Sequence, residues 1–319
     1  MANIPAVDAV SSLLFDYTGR KITRVKKRGL KFAHYTTAEV GAKILLNRDI
    51  WMRNAATMND FREVAYGADS LKAALRQFGA RFRAALDVVE PGLCTSILEW
   101  MERADFNHHQ HSYMTSITEH RPSDDIGLLS MWRAYGGPVA GVALIFNADF
   151  LDADSTPLQA WSSPVMYGEM AYLRDFEGLV TRLENNSALL HAVGAEQLKP
   201  MVFNALQFSI LSTKHVGFRE EREWRVIHQP REQASAWIQP TFETIRGKPE
   251  VVYHVPLHNA EGMNMPEVDL SRLLNKIIIG PCQNPYQVAG LFEDILRSMN
   301  FDNPDRYIRL SLIPLRQQG

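Results

Sequence analysis

Apolar and polar positions along this chain change period repeatedly, and the changes mark out its elements. Val7, Val10, Leu13 and Leu14 fall at helical spacing and predict a short amphipathic helix. Residues 31–35 alternate as a strand does, and Thr36-x-x-Glu39 then reads as a capping box. The helix it starts buries Val40, Ile44 and Leu45 and stops at Asn47-Arg48-Asp49, before a strand at Ile50-Trp51-Met52. Asp60 is placed to cap a longer helix carrying Val64, Leu71, Leu75 and Phe78. Further on, 113–118 reads as a strand, 126–135 as a helix stopped by Gly136-Gly137-Pro138, and 141–146 and 164–167 as strands. Residues 176–212 are mainly helical. Strands at 223–228, 251–255 and 276–279, a helix at 286–299 and a strand at 307–312 complete the pattern.

Short strands separated by irregular helical insertions do not make a regular βαβ alternation, so the expected class is α+β. No repeat and no low-complexity tract interrupts the chain. The expected organisation is an N-terminal helix with a basic linker over 1–30, followed by one domain over 31–319.

Composition adds bounds. The 319 residues are 46% hydrophobic and 22% charged, ordinary for a globular chain with a full core. A net charge of −2 offers no global field for nucleic acid. Arg20, Lys21, Arg24, Lys26, Lys27 and Arg28 form a local basic stretch, read as a solvated linker with phosphate contact as the minority alternative. Two isolated cysteines, Cys94 and Cys282, suggest buried thiols in a reducing compartment. No apolar run is long enough to span a bilayer, so a cytoplasmic protein without a membrane partner is expected.

The densest chemistry lies in His215-Val-Gly-Phe-Arg-Glu-Glu-Arg-Glu-Trp-Arg225. On a strand, Glu221 and Glu223 would share a face about 7 Å apart, with Arg225 beside them. Such density marks either a self-compensating surface patch or a site. Other candidates are His34 and Thr36 at a strand-to-helix junction, read either as site residues or as a structural histidine and a cap, and Trp132 with Tyr135, one turn apart, read either as core packing or as an aromatic ledge for a flat ring. Asn59-Asp60-x-x-Glu63 is explained by capping. His108, His109 and His111 lack the carboxylate spacing of a metal site, so no metal is expected. Phosphate-binding loops, nucleophile elbows and C-x-x-C pairs are missing from the sequence.

Taken in order, His34-Tyr35-Thr36, Asn59-Asp60-Phe61-Arg62-Glu63, Met131-Trp132-Arg133-Ala134-Tyr135, Glu221-Arg222-Glu223-Trp224-Arg225 and Ile279-Gly280-Pro281 resemble a bacterial domain-of-unknown-function family. Phe61 stands where that family often has Pro. The family is distantly similar to ADP-ribosyltransferases, which use NAD in a split, mostly antiparallel sheet. Their signature is His or Arg on the first strand, an aromatic or Ser in the middle, and Glu on a late strand.

The resemblance implies an NAD-dependent ADP-ribosyltransferase acting as a toxin or phage-defence effector, with NAD as substrate. A protein or nucleic-acid acceptor and an antitoxin or regulator would be its partners. Glu223 would stabilise positive charge on the ribose, Glu221 would take the acceptor's proton, and Tyr135 would be the middle residue. Cofactor contacts would come from His34, Tyr35, Thr36, Trp132 and Arg225, with Tyr35, Trp51 or Tyr113 as alternative stacking rings. Two other readings stay open. One is a non-catalytic nucleotide- or nucleic-acid-binding module. The other is a metal-dependent nuclease built on Asp60, Glu63, Glu221 and Glu223.

Overall fold

The computed structural model describes residues 4–57, 61–108, 111–245 and 247–314. In chain order its first elements are α1 (Ile4–Leu14), α2 (Asp16–Lys27), β1 (Lys31–Thr37), α3 (Ala38–Asn47), β2 (Asp49–Asn54), α4 (Phe61–Asp87), α5 (Leu93–His108) and β3 (Tyr113–His120). Then follow α6 (Leu129–Tyr135), β4 (Gly141–Phe146), β5 (Ala160–Pro164), β6 (Met166–Tyr167), α7 (Glu169–Glu184), α8 (Ser187–Val193), α9 (Ala195–Leu211) and β7 (Thr213–Lys214). The last are β8 (Glu223–His228), β9 (Gln239–Ile245), β10 (Lys248–Pro256), α10 (Leu270–Leu273), β11 (Leu274–Ile279), α11 (Pro285–Ser298) and β12 (Ile308–Leu310). The class is mixed α and β, with a mostly antiparallel sheet.

The chain packs as two compact units. The first comprises Met1–Thr23, Asn54–Ser112 and Ser163–Glu220; the second comprises Arg24–Arg53, Tyr113–Ser162 and Glu221–Gly319. Each is assembled from three stretches of chain, which is why composition along the sequence shows no boundary.

The first unit is helical. Its α4 packs against α5, α7 and α9. Leu71, Phe82 and Leu86 meet Phe176, Leu183, Phe203 and Leu206 in one apolar core. Trp100 stacks on Phe203 with ring centres 3.9 Å apart. Fully burying side chains of this size stabilises the fold by about 1.5–3 kcal/mol each.

The second unit is built on a ten-stranded sheet. Its main path is β12-β11-β4-β1-β3-β2-β10-β9, with β8 paired to β3 and β5 to β8. One face packs Leu144, Ile277, Ile279 and Phe292 with Met52, Val255 and Ile238. A smaller cluster of Ala33, Tyr35, Met131, Trp132, Ile145 and Ile278 is covered by α6.

The sheet forks at β3. One edge of β3 pairs β8 from Tyr113 to Thr118. The other pairs β1 only through Lys31↔His120, Phe32↔Glu119 and Ala33↔Thr118, so β1 and β2 share that edge. Beyond Ala33, β1 continues on β4 alone, as far as Thr37↔Gly141.

Several local expectations shift. The cap of α3 is Thr37, whose hydroxyl accepts from the Val40 N–H, because Thr36 is still in the ladder opposite Val142. Arg48 stops α3 in the left-handed conformation. The basic stretch is helical: Asp16 opens α2 and Arg24, Lys26 and Lys27 close it, as the helix dipole favours. The expected helix at 126–135 begins only at Leu129, since Asp124 Oδ1 accepts from the N–H groups of Ile126 and Gly127 and holds a turn.

Candidate functional site

Arg222 has φ 45°, so the chain turns before β8 and the period-2 pattern starts at Glu223. The Arg222 carbonyl accepts from the Glu119 N–H at 3.1 Å. This corrects one expectation: Glu221 ends a 3-10 turn, Val216–Glu221, and does not share a strand face with Glu223. The left-handed residue between them breaks the alternation.

From Glu223 onward the strand sorts its residues into two rows. Trp224 is 1% exposed, and its indole N–H donates to Glu119 Oε1 at 3.0 Å. The Phe32 ring meets it edge-on at 5.4 Å. Glu119 in turn pairs with Arg24.

The other row carries Glu223, 6% exposed, and Arg225, 3% exposed. Arg225 Nε donates to Glu223 Oε1 at 2.9 Å and Nη2 to Oε2 at 3.3 Å. Ser116, opposite Arg225 in the register, donates its hydroxyl to Glu223 Oε1 at 2.5 Å. Burial rules out the surface-patch reading for these two residues. A buried pair of this kind is costly to desolvate and is held together by its own hydrogen bonds.

His34 is the first residue of β1 past the fork. Its Nδ1 lies 3.1 Å from the Ser116 carbonyl oxygen. A carbonyl only accepts, so Nδ1 carries a proton and Nε2 is an acceptor in the neutral ring. Burial is the main cause that pulls the His34 pKa below its ordinary value, against the opposing hydrogen bond to Ser116. Alternation places His34 in the opposite row of the pleat from Ser116 and Glu223. Ser116 joins the two rows, with its carbonyl on the imidazole and its hydroxyl on the carboxylate.

The remaining predicted residues lie elsewhere. Tyr35 and Trp132 pack together at 4.8 Å, and each is buried. The Trp132 indole N–H donates to Ile126 O, and the Tyr35 hydroxyl accepts from the Leu128 N–H. A Cβ at Gly127 would stand 2.8 Å from the Trp132 ring and one at Gly280 2.7 Å, so Trp132 is enclosed by close backbone. These two residues form core, not a ledge: α6 turns Trp132 inward and leaves Tyr135 39% exposed. Burial pushes the Tyr35 hydroxyl up to about 12. Arg225 is engaged by Glu223, and Thr36 is half-buried in β1. Asn59 and Asp60, with the side chain of Glu63, lie outside the described residues, as do His109 and the His108 side chain.

Among the described residues no group of three His, Cys, Asp or Glu is placed to hold a metal ion. In the basic stretch, Arg20 meets Asp16 and Asp175, Arg24 meets Glu119 and Lys26 meets Asp152. Much of that charge is therefore neutralised within the chain, which weakens the phosphate-contact reading. Cys94 and Cys282 are both free thiols. No helix among the described residues is long and apolar enough to cross a membrane.

Residues 131–226 match the family model described as "Protein of unknown function (DUF2971)". The match spans less than a third of the chain and includes Met131–Tyr135, Glu221, Glu223 and Arg225, but neither His34 nor Ser116. No curated protein and no solved structure matches the chain.

Ser116, which links His34 to Glu223, belongs to none of the sequence motifs. The signal was a run of hydroxyls, Thr115-Ser116-x-Thr118, in an otherwise buried strand.

Proposed function

We propose that the chain cleaves NAD at the nicotinamide–ribose bond and passes ADP-ribose to a macromolecular acceptor, in the role of a toxin or phage-defence effector. The observation that carries this reading is the buried Glu223 carboxylate, held by Ser116 on β3, next to a fork that His34 occupies on β1. The resemblance asks for a His on the first strand, a Ser or aromatic in the middle and a Glu on a late strand. Here the three stand on neighbouring strands of a sheet that splits between the first two.

In the reaction the C–N bond breaks and nicotinamide leaves with the bonding pair. Positive charge grows on the ribose carbon as in glycoside cleavage. Glu223, as a carboxylate on a ribose hydroxyl, stabilises that charge. His34, neutral and with Nε2 as acceptor, takes a hydrogen bond from the adenosine-side ribose, from the other row of the pleat. Ser116 positions Glu223. Arg225 pairs with the Glu223 carboxylate, in place of the cofactor contact expected of it. An acceptor oxygen or nitrogen attacks the ribose carbon, and Glu221, half-buried on the turn into β8, accepts its proton.

The engagement of Glu223 by Arg225 favours one rival, a module that binds NAD without turnover. Chromatography of free nicotinamide separates the two. The proposal expects release by the full chain, undiminished by a chelator, and a loss of about 100- to 1000-fold in Glu223→Gln. Release that is equal in Glu223→Gln overturns the assignment. A thermal shift with NAD but no release selects the binding module.

A further inference from the structure

A second constellation lies on the β2-β10-β9 part of the sheet. Asp49, His254 and Thr241 fall in one row of the pleat, through the registers Asp49↔Pro256, Trp51↔His254 and Val252↔Thr241. The alternate row carries Ile50, Met52 and Val255 into the apolar core. His254 Nδ1 is 2.8 Å from Asp49 Oδ2, and His254 Nε2 is 2.7 Å from Thr241 Oγ1. The Trp51 ring, 5.6 Å from the imidazole, walls one side. The His254 and Asp49 side chains are 22% and 20% exposed, so reagents reach them.

A carboxylate oxygen only accepts, so Nδ1 holds a proton and the neutral ring presents Nε2 to the threonine hydroxyl. That is the order of contacts a nucleophile, a base and an orienting acid require. From this geometry we infer that Thr241 is an activated nucleophile that accepts acyl groups from reactive esters and thioesters. Thr241 Oγ1 bonds to the acyl carbon while its proton passes to His254 Nε2, and Asp49 stabilises the imidazolium. The bond to the alcohol or thiol then breaks, and the leaving group takes that proton.

This inference is independent of NAD chemistry, and the strand carries its own control. Thr244 lies three residues along β9 and is more exposed than Thr241. The test treats the full chain with p-nitrophenyl acetate and locates the acetyl group by peptide mass spectrometry. The expected result is acetylation of Thr241 about 100-fold or more faster than Thr244, since a positioned base contributes that much. Thr241→Val removes the label. His254→Gln, which keeps a hydrogen-bonding amide but no base, brings Thr241 down to the Thr244 rate. Asp49→Asn falls between, and unchanged melting temperatures show that the variants are folded. Equal rates at Thr241 and Thr244, or full labelling in folded His254→Gln, would overturn the inference.

Discussion

The two units bury different things. The helical unit buries Phe82, Leu86, Leu183 and Phe203 in one core, and among its described residues Lys214 is a buried cation, with its ammonium 4.7 Å from the Phe218 ring centre. The sheet unit buries Glu119, His120, Glu223, Arg225, His228 and Lys276. Apolar packing stabilises without chemistry. Buried charge costs desolvation and is kept where each group finds partners, as Glu223 does in Arg225 and Ser116. The contrast teaches where to look: both units pack an apolar core, and most of the buried ionisable groups lie in the sheet.

The comparison breaks most visibly in the helical core. Phe82→Ala, at a fully buried ring 5.2 Å from Phe176, is expected to cost about 3–5 kcal/mol in urea unfolding. Turnover per folded molecule should stay as it was. In the sheet unit, Arg225→Met leaves Glu223 without its guanidinium and is expected to cost about 3–5 kcal/mol. Adding Glu223→Gln to Arg225→Met should recover most of that loss. A single variant as stable as the parent would mean the pair is not a buried commitment.

Titration sharpens the contrast with a smaller effect. Burial is the main cause lowering the pKa values of His34, His120 and His228, all in the sheet unit, below the ordinary 6.5. The unfolded chain therefore takes up protons first as pH falls. Stability is flat above that value and declines below it. Asp175, in the helical unit, runs the other way, since burial raises its pKa from 3.8. Its contribution is present at low pH and lost as pH rises through the raised value. Hydrogen exchange between pH 7.5 and 5 should loosen the β3 and β8 amides first. Uniform loosening of both units would contradict the assignment.

Much of the fold was legible because apolar periodicity reports burial directly. Strands 141–146 and 223–228 appear where they were expected, and the helices at 176–212 and 286–299 are matched closely by α7, α8, α9 and α11. The strand β9 was illegible: it is a sheet edge with Phe242 87% exposed and a polar composition, so it carries no core signal. Of the site, Glu223 and His34 could be named from sequence, since dense charge and a strand-end histidine are local features. The placement of Glu221 was wrong because a left-handed Arg222 has no sequence signature outside Gly and Asn. Sequence leaves Trp132 open between core packing and a stacking ledge, because the glycines that enclose it, Gly127 and Gly280, lie far apart in the chain. Ser116 becomes visible only when β3 is set between β1 and β8.

The most direct test of the central claim is nicotinamide release from NAD by the full chain, Ser116→Ala and Glu223→Gln, compared at equal folded fraction. A graded loss is predicted, with Ser116→Ala slowed about 10-fold through a misplaced carboxylate and Glu223→Gln about 100- to 1000-fold. Equal rates in all three, or a Ser116→Ala loss larger than that of Glu223→Gln, would contradict it.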